Sequence, residues 1–390
     1  MMKRILIISH AYVEEANWAK IELLSQFDDL EVGVLTPESW RTWHGEDKNI
    51  ANSKPACAGR SQISNVERYK RLSLPVYFSG DAGLYFYHPL KLFRLFKEFN
   101  PDIIHLEEEP WTPVALETAY YCKKLGKKLL LFSWENIDLY LNFWRKWDER
   151  LVLKNTGNCL AGNEGALIRL KEHGFIEGIT VLPQFGVDTE RFHPSKNDNG
   201  TASDSSQAAN HFRIGYVGRL TADKGLETLF RAFAKLGKSE AELVLLSSSA
   251  KLPEYFRDLA AELKITRQIK LIAGVSHADF PGYIRAFDLQ VLPSLTTPSW
   301  KEQFGRVMIE GMASGVPIIG SSSGAIPEVL GDSGLLFKEG DSGELYEKMN
   351  QLYIDPVLRN KLGEAGQDRV KKLYSYSVIA QKTREIYRSL

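Results

Sequence analysis

Residues 213–233, RIGYVGRLTADKGLETLFRAF, open with an apolar run that ends in glycine, cross a short loop carrying Arg219 and Lys224, and continue into a helical apolar pattern. A near-continuous apolar strand has both faces covered, which a parallel sheet flanked by helices provides. The same rhythm recurs along the chain. In the second half it gives FRIGYVG, AELVLLSS, IKLIAG, LQVLPS, VPIIGS and GLLF; in the first half it gives RILIIS, EVGVLT, DIIHLE, KLLLFSW, NCLAG and ITVLP. Strands alternating with amphipathic helices predict an α/β protein of two doubly wound Rossmann-like domains. A length of 390 residues, more than one core usually organises, agrees with two.

The segment SKNDNGTASDSSQAANH, residues 195–211, has the small, polar composition of a linker or loop. It separates a first domain, 1–194, from a second, 212–374. In such sheets ligands bind beyond the carboxyl ends of the strands, so two facing domains would place an interdomain cleft between those ends. No repeat of 20–50 residues is visible, so the halves share architecture and not sequence.

Composition excludes several classes. No apolar run reaches the roughly 18 residues of a transmembrane span, and MMKRILIISHAYVEEA reads as a first strand, not a cleaved leader. Lys plus Arg and Asp plus Glu both total 49, a balance that argues against a general nucleic-acid binder. Cys57, Cys122 and Cys159 have neither the paired spacing of a zinc site nor that of a redox pair, and a reducing cytosol fits them best.

The residues that could carry chemistry cluster after the strands. Gly218 and Gly225 permit tight turns, and Arg219 and Lys224 beside a helix start can hold a diphosphate through charge-assisted hydrogen bonds. The loop is not a Walker A motif, because the glycine spacing and the Lys-Ser/Thr ending are missing. Further on, SWKEQFGRVMIEGMASGVPIIGSSSGAIPEV, residues 299–329, places Glu302 in a loop and Glu310 more than a turn into a helix that begins near Gly305. A helix start there can bind an anion, and each carboxylate can accept from adjacent hydroxyls of a polyol. Spacing alone leaves open a capping carboxylate and a solvated one.

The run from RIGYVGRLTADKG through VLPSLTTPSWKEQFGRVMIEGMASGVPIIGSSSGAIPEVLGDSGLLF resembles the donor domain of the retaining nucleotide-sugar glycosyltransferases of family 4, which have the GT-B fold. The family's E-x7-E signature falls on Glu302 and Glu310, accompanied in order by the Arg-Lys loop, PS, FG, GVP and G-x-IPE. QFGVDTERFHP, residues 184–194, is similar to the family's GVD…F.P segment, and SYSVIAQKTREIY to its final helix, which returns to the first domain from about 375 to 390. The resemblance implies that Arg219 and Lys224 bind the donor diphosphate, Glu310 the ribose and Glu302 a hydroxyl of the transferred sugar. Gly218, Phe304, Gly305 and Arg306 fall among the donor-binding positions. Three places depart from the pattern. SHAYVEEANW lacks the family's glycine-rich first loop, Glu107 stands where a second histidine is frequent after His105, and Ser247, Ser248 and Ser249 replace a glycine-rich turn.

On the first domain the acceptor-side candidates are His10 after the first strand, the triplet Glu107, Glu108 and Glu109 after another, and Glu135 with Asn136 in SWENIDLY. A solvated loop is the competing account of the triplet. Aromatics in WRTWHGED, VYFSGDAGLYFYHP and YLNFWRKW either pack or line an acceptor groove. HPLKLFRLFKEFN reads as a helix packed on the sheet, or as a basic amphipathic surface touching anionic lipid. The expected activity is metal-independent retaining transfer from a UDP- or GDP-linked sugar to a hydroxyl of a saccharide or lipid-linked acceptor, in polysaccharide, glycolipid or other glycoconjugate synthesis. No D-x-D pair occurs to bridge a metal to the diphosphate, and no cofactor or metal site is expected. The expected location is cytoplasmic, including the inner face of the membrane. An epimerase or phosphorylase on the same fold, and a noncatalytic nucleotide-sugar-binding subunit of a glycan assembly complex, are the competing functions.

Overall fold

The computed structural model describes residues 2–41, 47–49, 68–138, 141–176, 178–194 and 211–390. Cys57, most of WRTWHGED and all of the expected linker except His211 lie outside the described residues. The chain forms two compact units, Met1–Phe185 with Tyr376–Leu390, and Gly186–Ser375.

The first unit holds seven parallel strands, β1 (Lys3–Ile8), β2 (Leu30–Pro37), β3 (Tyr69–Leu74), β4 (Ile103–Glu107), β5 (Lys128–Ser133), β6 (Asn158–Ala161) and β7 (Ile179–Val181). Their order is β7-β6-β5-β4-β1-β2-β3. Alternation of side chains along each strand divides the core in two. Ile5 and Ile7 of β1 face helix α1 (Ala19–Leu24) and the C-terminal helix Tyr376–Ser389. Leu6 and Ile8 face α2 (Pro89–Phe99), α3 (Pro113–Leu125), α4 (Phe143–Lys154) and α5 (Glu164–Glu172). Thr112, Asn142 and Asn163 cap α3, α4 and α5 through their side-chain oxygens, satisfying amide donors that the first turn leaves unpaired.

The second unit repeats the plan with β8 (Phe212–Val217), β9 (Ala241–Ser247), β10 (Ile269–Ala273), β11 (Leu289–Leu292), β12 (Ile318–Ser321) and β13 (Leu335–Phe337). All pairs are parallel, in the order β10-β9-β8-β11-β12-β13. Every strand segment quoted above forms a strand. The strand β3 was not foreseen, because YKRLSL lies at a sheet edge and its lysine and arginine interrupt the apolar pattern that marks central strands.

One expected boundary moves. Residues 186–194 group with the second unit, not with 1–185. The Val187 amide donates to the Tyr374 carbonyl at 2.9 Å, Arg285 donates to the Arg191 carbonyl at 3.3 Å, and the Phe192 ring meets Phe280 edge-on at 6.2 Å. These contacts fasten the GVDTERFHP segment to the second unit before the polar stretch begins.

The C-terminal helix is tied to the first unit by polar bonds as well as by packing. Lys3 Nζ donates to the Tyr387 carbonyl at 2.8 Å, and Arg384 Nε to Asp29 at 2.9 Å. Tyr387 Oη lies 2.7 Å from Nδ1 of buried His105. Burial pushes the His105 ring down to about 4, with Glu107 opposing, so it is neutral at pH 7 and needs that partner. Tyr387→Phe is expected to lower folding stability by about 1–3 kcal/mol, the penalty of an unsatisfied buried polar atom, measured by chemical denaturation. Cys122 and Cys159 are buried and free, and burial pushes both thiols up, so neither is a reactive thiolate at neutral pH.

Candidate functional site

In each sheet the strand order reverses beside the unit's first strand, between β1 and β4 and between β8 and β11. The connections leave these strand pairs in opposite directions, which opens a crevice at their carboxyl ends. The candidate residues collect at these two places.

In the second unit, β8 ends at Val217 and leads through Gly218 into the loop with Arg219 and Lys224. Gly225 closes that loop with φ 70°, and a Cβ there would stand 1.8 Å from the Pro293 carbonyl oxygen, so only glycine lets the loop lie against the residues after β11. That approach brings Lys224 to Glu302. Lys224 Nζ donates to Glu302 Oε2 at 2.8 Å and stands 4.0 Å from the Trp300 ring centroid. Ser294 Oγ donates to the same carboxylate oxygen at 2.9 Å. Arg219 is 63% exposed, with Nη2 at 3.4 Å from Asp223. At that distance and exposure the pair leaves the guanidinium available to a ligand.

The Arg306–Ala313 helix starts four residues after Glu302. Its N-cap is Gly305 at φ 77°, which has no side chain of its own to cap the first turn. The first turn can therefore face an anion instead of a capping oxygen. Phe304 is buried, with its ring edge-on to Tyr374 at 5.6 Å, which fixes the approach to Gly305. Glu310 lies farther along the helix. Burial pushes its carboxyl up to about 7, against the opposing pull of Arg306 and Arg191. The same arginines, after burial, lower the His277 ring, and Arg191 donates to the His277 carbonyl at 2.5 Å.

The structure thus joins Lys224, Glu302, Gly305 and Arg306 around one strand-end crevice, with Glu310 farther along the helix. Sequence reasoning did not single out Ser294, Trp300, Arg191 or His277. Ser294 and Trp300 stand inside quoted segments, and Arg191 inside GVDTERFHP. His277 has no local signal, since only the fold brings the loop after β10 toward Glu310.

The first unit sorts its acidic triplet into three environments. Glu107 is fully enclosed: Lys20 Nζ and Gln184 Nε2 donate to its two oxygens, the latter at 2.9 Å. Burial alone would raise this carboxyl, but Lys20 and then His105 hold it below the usual range. It is a buried charge pair, which removes it from the surface offered to an acceptor. Glu108 is also buried and accepts from the His10 amide at 2.7 Å, His10 Nδ1 at 2.8 Å and Tyr85 Oη at 2.7 Å. His10 remains partly exposed and stacks on Trp40, ring centroids 5.1 Å apart. Burial lowers its ring and Glu108 raises it, with the net shift upward. Glu109 accepts from Ser133 Oγ at 2.5 Å and the Trp134 amide at 2.8 Å, and burial beside Glu135 pushes it up to about 7. Glu135 and Asn136 are buried, and burial raises the Glu135 carboxyl against the pull of Arg169. Of these candidates, His10 and Glu109 keep partial exposure, and Glu108 orients His10.

Residues 201–369 match the family model described as glycosyl transferases group 1. Curated relatives include D-inositol 3-phosphate glycosyltransferase of Corynebacterium jeikeium (strain K411), 30% identical over 225 residues that make up 54% of this chain and 52% of that protein. Another is the capsular polysaccharide biosynthesis glycosyltransferase CapM of Staphylococcus aureus, 29% identical over 51% of this chain and 48% of that one. The chain spans about half the length of the curated relatives it matches. Among solved structures, Anabaena Alr3699/HepE in complex with UDP superposes with a TM-score of 0.74 at 16% identity, covering 100% of both chains. Sucrose-phosphate synthase from Thermosynechococcus elongatus superposes with a TM-score of 0.70 at 19% identity, covering 99% of this chain and 98% of that one. The coarser part of the resemblance read from the sequence is borne out: residues 201–369 match a group 1 glycosyl transferase domain, and the Rossmann-like units have the GT-B fold.

Proposed function

We propose that the chain is a metal-independent, retaining glycosyltransferase that moves a hexose from UDP or GDP to a hydroxyl of a saccharide or lipid-linked acceptor. The observation that carries this reading is the juxtaposition, at one strand-end crevice, of Lys224, Glu302 and a helix start whose N-cap is Gly305. A leaving nucleoside diphosphate gains negative charge as the anomeric bond breaks, and preorganised donors aimed at that charge supply the largest catalytic term. Lys224, Arg219 and the first turn after Gly305 are those donors. Glu302 holds Lys224 in place and accepts from the transferred sugar, while Glu310 accepts from the ribose. The capsular polysaccharide relative CapM and the UDP complex of HepE support glycosyl transfer from a nucleotide sugar by analogy, without bearing on these residue roles.

Double displacement would require a carboxylate on the sugar face opposite the leaving group. The proposed route is attack on the face from which the diphosphate departs. The acceptor oxygen forms its bond to the anomeric carbon, the anomeric carbon–phosphate oxygen bond breaks, and the acceptor proton passes to the leaving phosphate oxygen. His10, set by Glu108, receives the acceptor on the first unit.

Two measurements test the proposal. A thermal-shift screen of nucleotide sugars should give one donor a clear rise in melting temperature, since ligand bound only to the folded state stabilises it by mass action. Labelled donor should then turn over with the purified chain alone, and binding without turnover would leave a noncatalytic subunit. Because side chains and a helix end neutralise the diphosphate, EDTA should leave the rate unchanged. Complete loss, restored by magnesium or manganese, would overturn the metal-independent mechanism.

A further inference from the structure

The first aromatic turns of α4 do not pack as the sequence suggested. The helix seats Val152 and Leu153 in the core, and its Glu149 lies 2.8 Å from Arg169. On the opposite side Phe143, Trp144 and Trp147 are 73%, 71% and 49% exposed. Three large aromatics on adjoining turns, all in water, are an unusual cost for a monomer surface. The exposed cations of the helix are Lys146, Arg150 and Lys154, whereas Asp148 is half-buried and Glu149 buried, so the outward face carries positive charge without an exposed acid. Arg145 is turned inward, over the Trp111 ring at 4.7 Å, and takes no part.

The neighbouring helices continue this character. α3 packs against α4 and exposes Tyr120, Lys123 and Lys124. α2 meets α3 where Tyr121 Oη donates to the Pro89 carbonyl at 3.2 Å. It buries Leu92 and Phe96, as the packed-helix reading expects, yet leaves Leu90, Lys91, Arg94 and Lys97 exposed, with Glu98 the one exposed acid of the helix. Lys97 and Lys124 both stand over the Phe93 ring, at 4.7 and 5.1 Å. Since the whole chain is charge-neutral, these cations are segregated onto one helical layer.

We propose that the outer face of α4, continued by α3 and α2, docks on an anionic lipid bilayer. A helix lying in the plane of the interface inserts its aromatics at headgroup depth and sets its lysines and arginines against lipid phosphates. No described helix is long and apolar enough to cross a membrane, so contact through a face is the form available to these helices. The inference is independent of the transfer chemistry. It rests on charge complementarity together with exposed Trp and Phe, and a second copy of the chain, carrying the same positive charge, would meet this face with repulsion.

The test is co-sedimentation of the full chain with vesicles of phosphatidylcholine alone or mixed with phosphatidylglycerol. Binding to the mixed vesicles is expected, weakening with added salt. Replacing Lys146, Arg150 and Lys154 by alanine should weaken it on the order of 100-fold, from about 5-fold per cation near an anionic surface. The F143A/W144A/W147A variant should stay in the supernatant while melting at the parent temperature, because these side chains are exposed. A parent chain that binds neither vesicle, or an aromatic variant that binds as the parent does, overturns the proposal. So does a lipid-free parent dimer that the aromatic variant converts to monomer, which would assign the face to self-association.

Discussion

Lys224→Ala is expected to lower turnover about 10²–10³-fold, the usual loss when one preorganised donor to a developing anion is removed. Arg219→Ala should show a fall of the same order. The two differ in what else they disturb. Arg219 is largely exposed, so its loss leaves no buried group unpaired and the melting temperature should hold. Lys224 and Glu302 are both largely covered, at 2.8 Å. Removing one member of an enclosed pair strands the other's charge, and the stability loss should approach the lower end of the roughly 3–5 kcal/mol found for buried pairs. Ser294 still donates to Glu302 and limits that loss.

This coupling gives a control for folding. In Lys224→Met with Glu302→Gln, both charges are gone and Ser294 can still bond the amide, so stability should recover most of what Lys224→Ala lost. Turnover should not recover, because the diphosphate still lacks its donor. Denaturant titrations beside initial rates on the single and double variants separate the effects. Recovery of turnover together with stability would make Lys224 a structural partner of Glu302 and nothing more.

The sequence carried the second unit further than the first, for a physical reason. The proposed diphosphate site is built from loops next to strand ends, so Gly218, Arg219, Lys224 and Gly225 stand together in the chain as they do in space. The Glu302–Gly305–Glu310 arrangement is likewise one loop and one helix. The first unit assembles its candidate site across the sheet, where Glu108, just past β4, holds His10, just past β1, and buried Tyr85 completes the set. No local spacing announces that. Nor could EEE reveal that Glu107 turns inward to Lys20 while Glu108 turns toward His10, since successive residues at a strand end point to opposite faces and each meets a different partner. The α4 aromatics failed for the converse reason: an exposed Trp and a packed Trp look alike until burial is known.

The two glutamates of the loop and helix should separate by ligand and by pH. Burial puts the Glu310 carboxyl at about 7, above its ordinary value near 4.5. A raised folded value means that the protonated form favours folding; that contribution is full below about 4.5 and lost as pH rises through 7. In the proposed site ribose hydroxyls would donate to the carboxylate, so nucleotide binding should pull a proton off Glu310 when the pH is at or below 7. Nucleoside diphosphate affinity should therefore fall toward tenfold per pH unit below that point. Glu310→Gln should weaken nucleoside diphosphate and intact donor equally at pH 8, by the roughly 1.5–3 kcal/mol of a charged hydrogen bond, and should abolish the proton release. Glu302→Gln should instead leave nucleoside diphosphate affinity undiminished, because it frees Lys224 from its ion pair, while turnover falls through loss of the contact that places the anomeric carbon. Calorimetry in buffers of different ionisation enthalpy measures the affinity and the proton count together. Equal loss of diphosphate affinity in both variants, or proton release that survives Glu310→Gln, would show that the helix glutamate and the loop glutamate do not divide the donor between ribose and sugar.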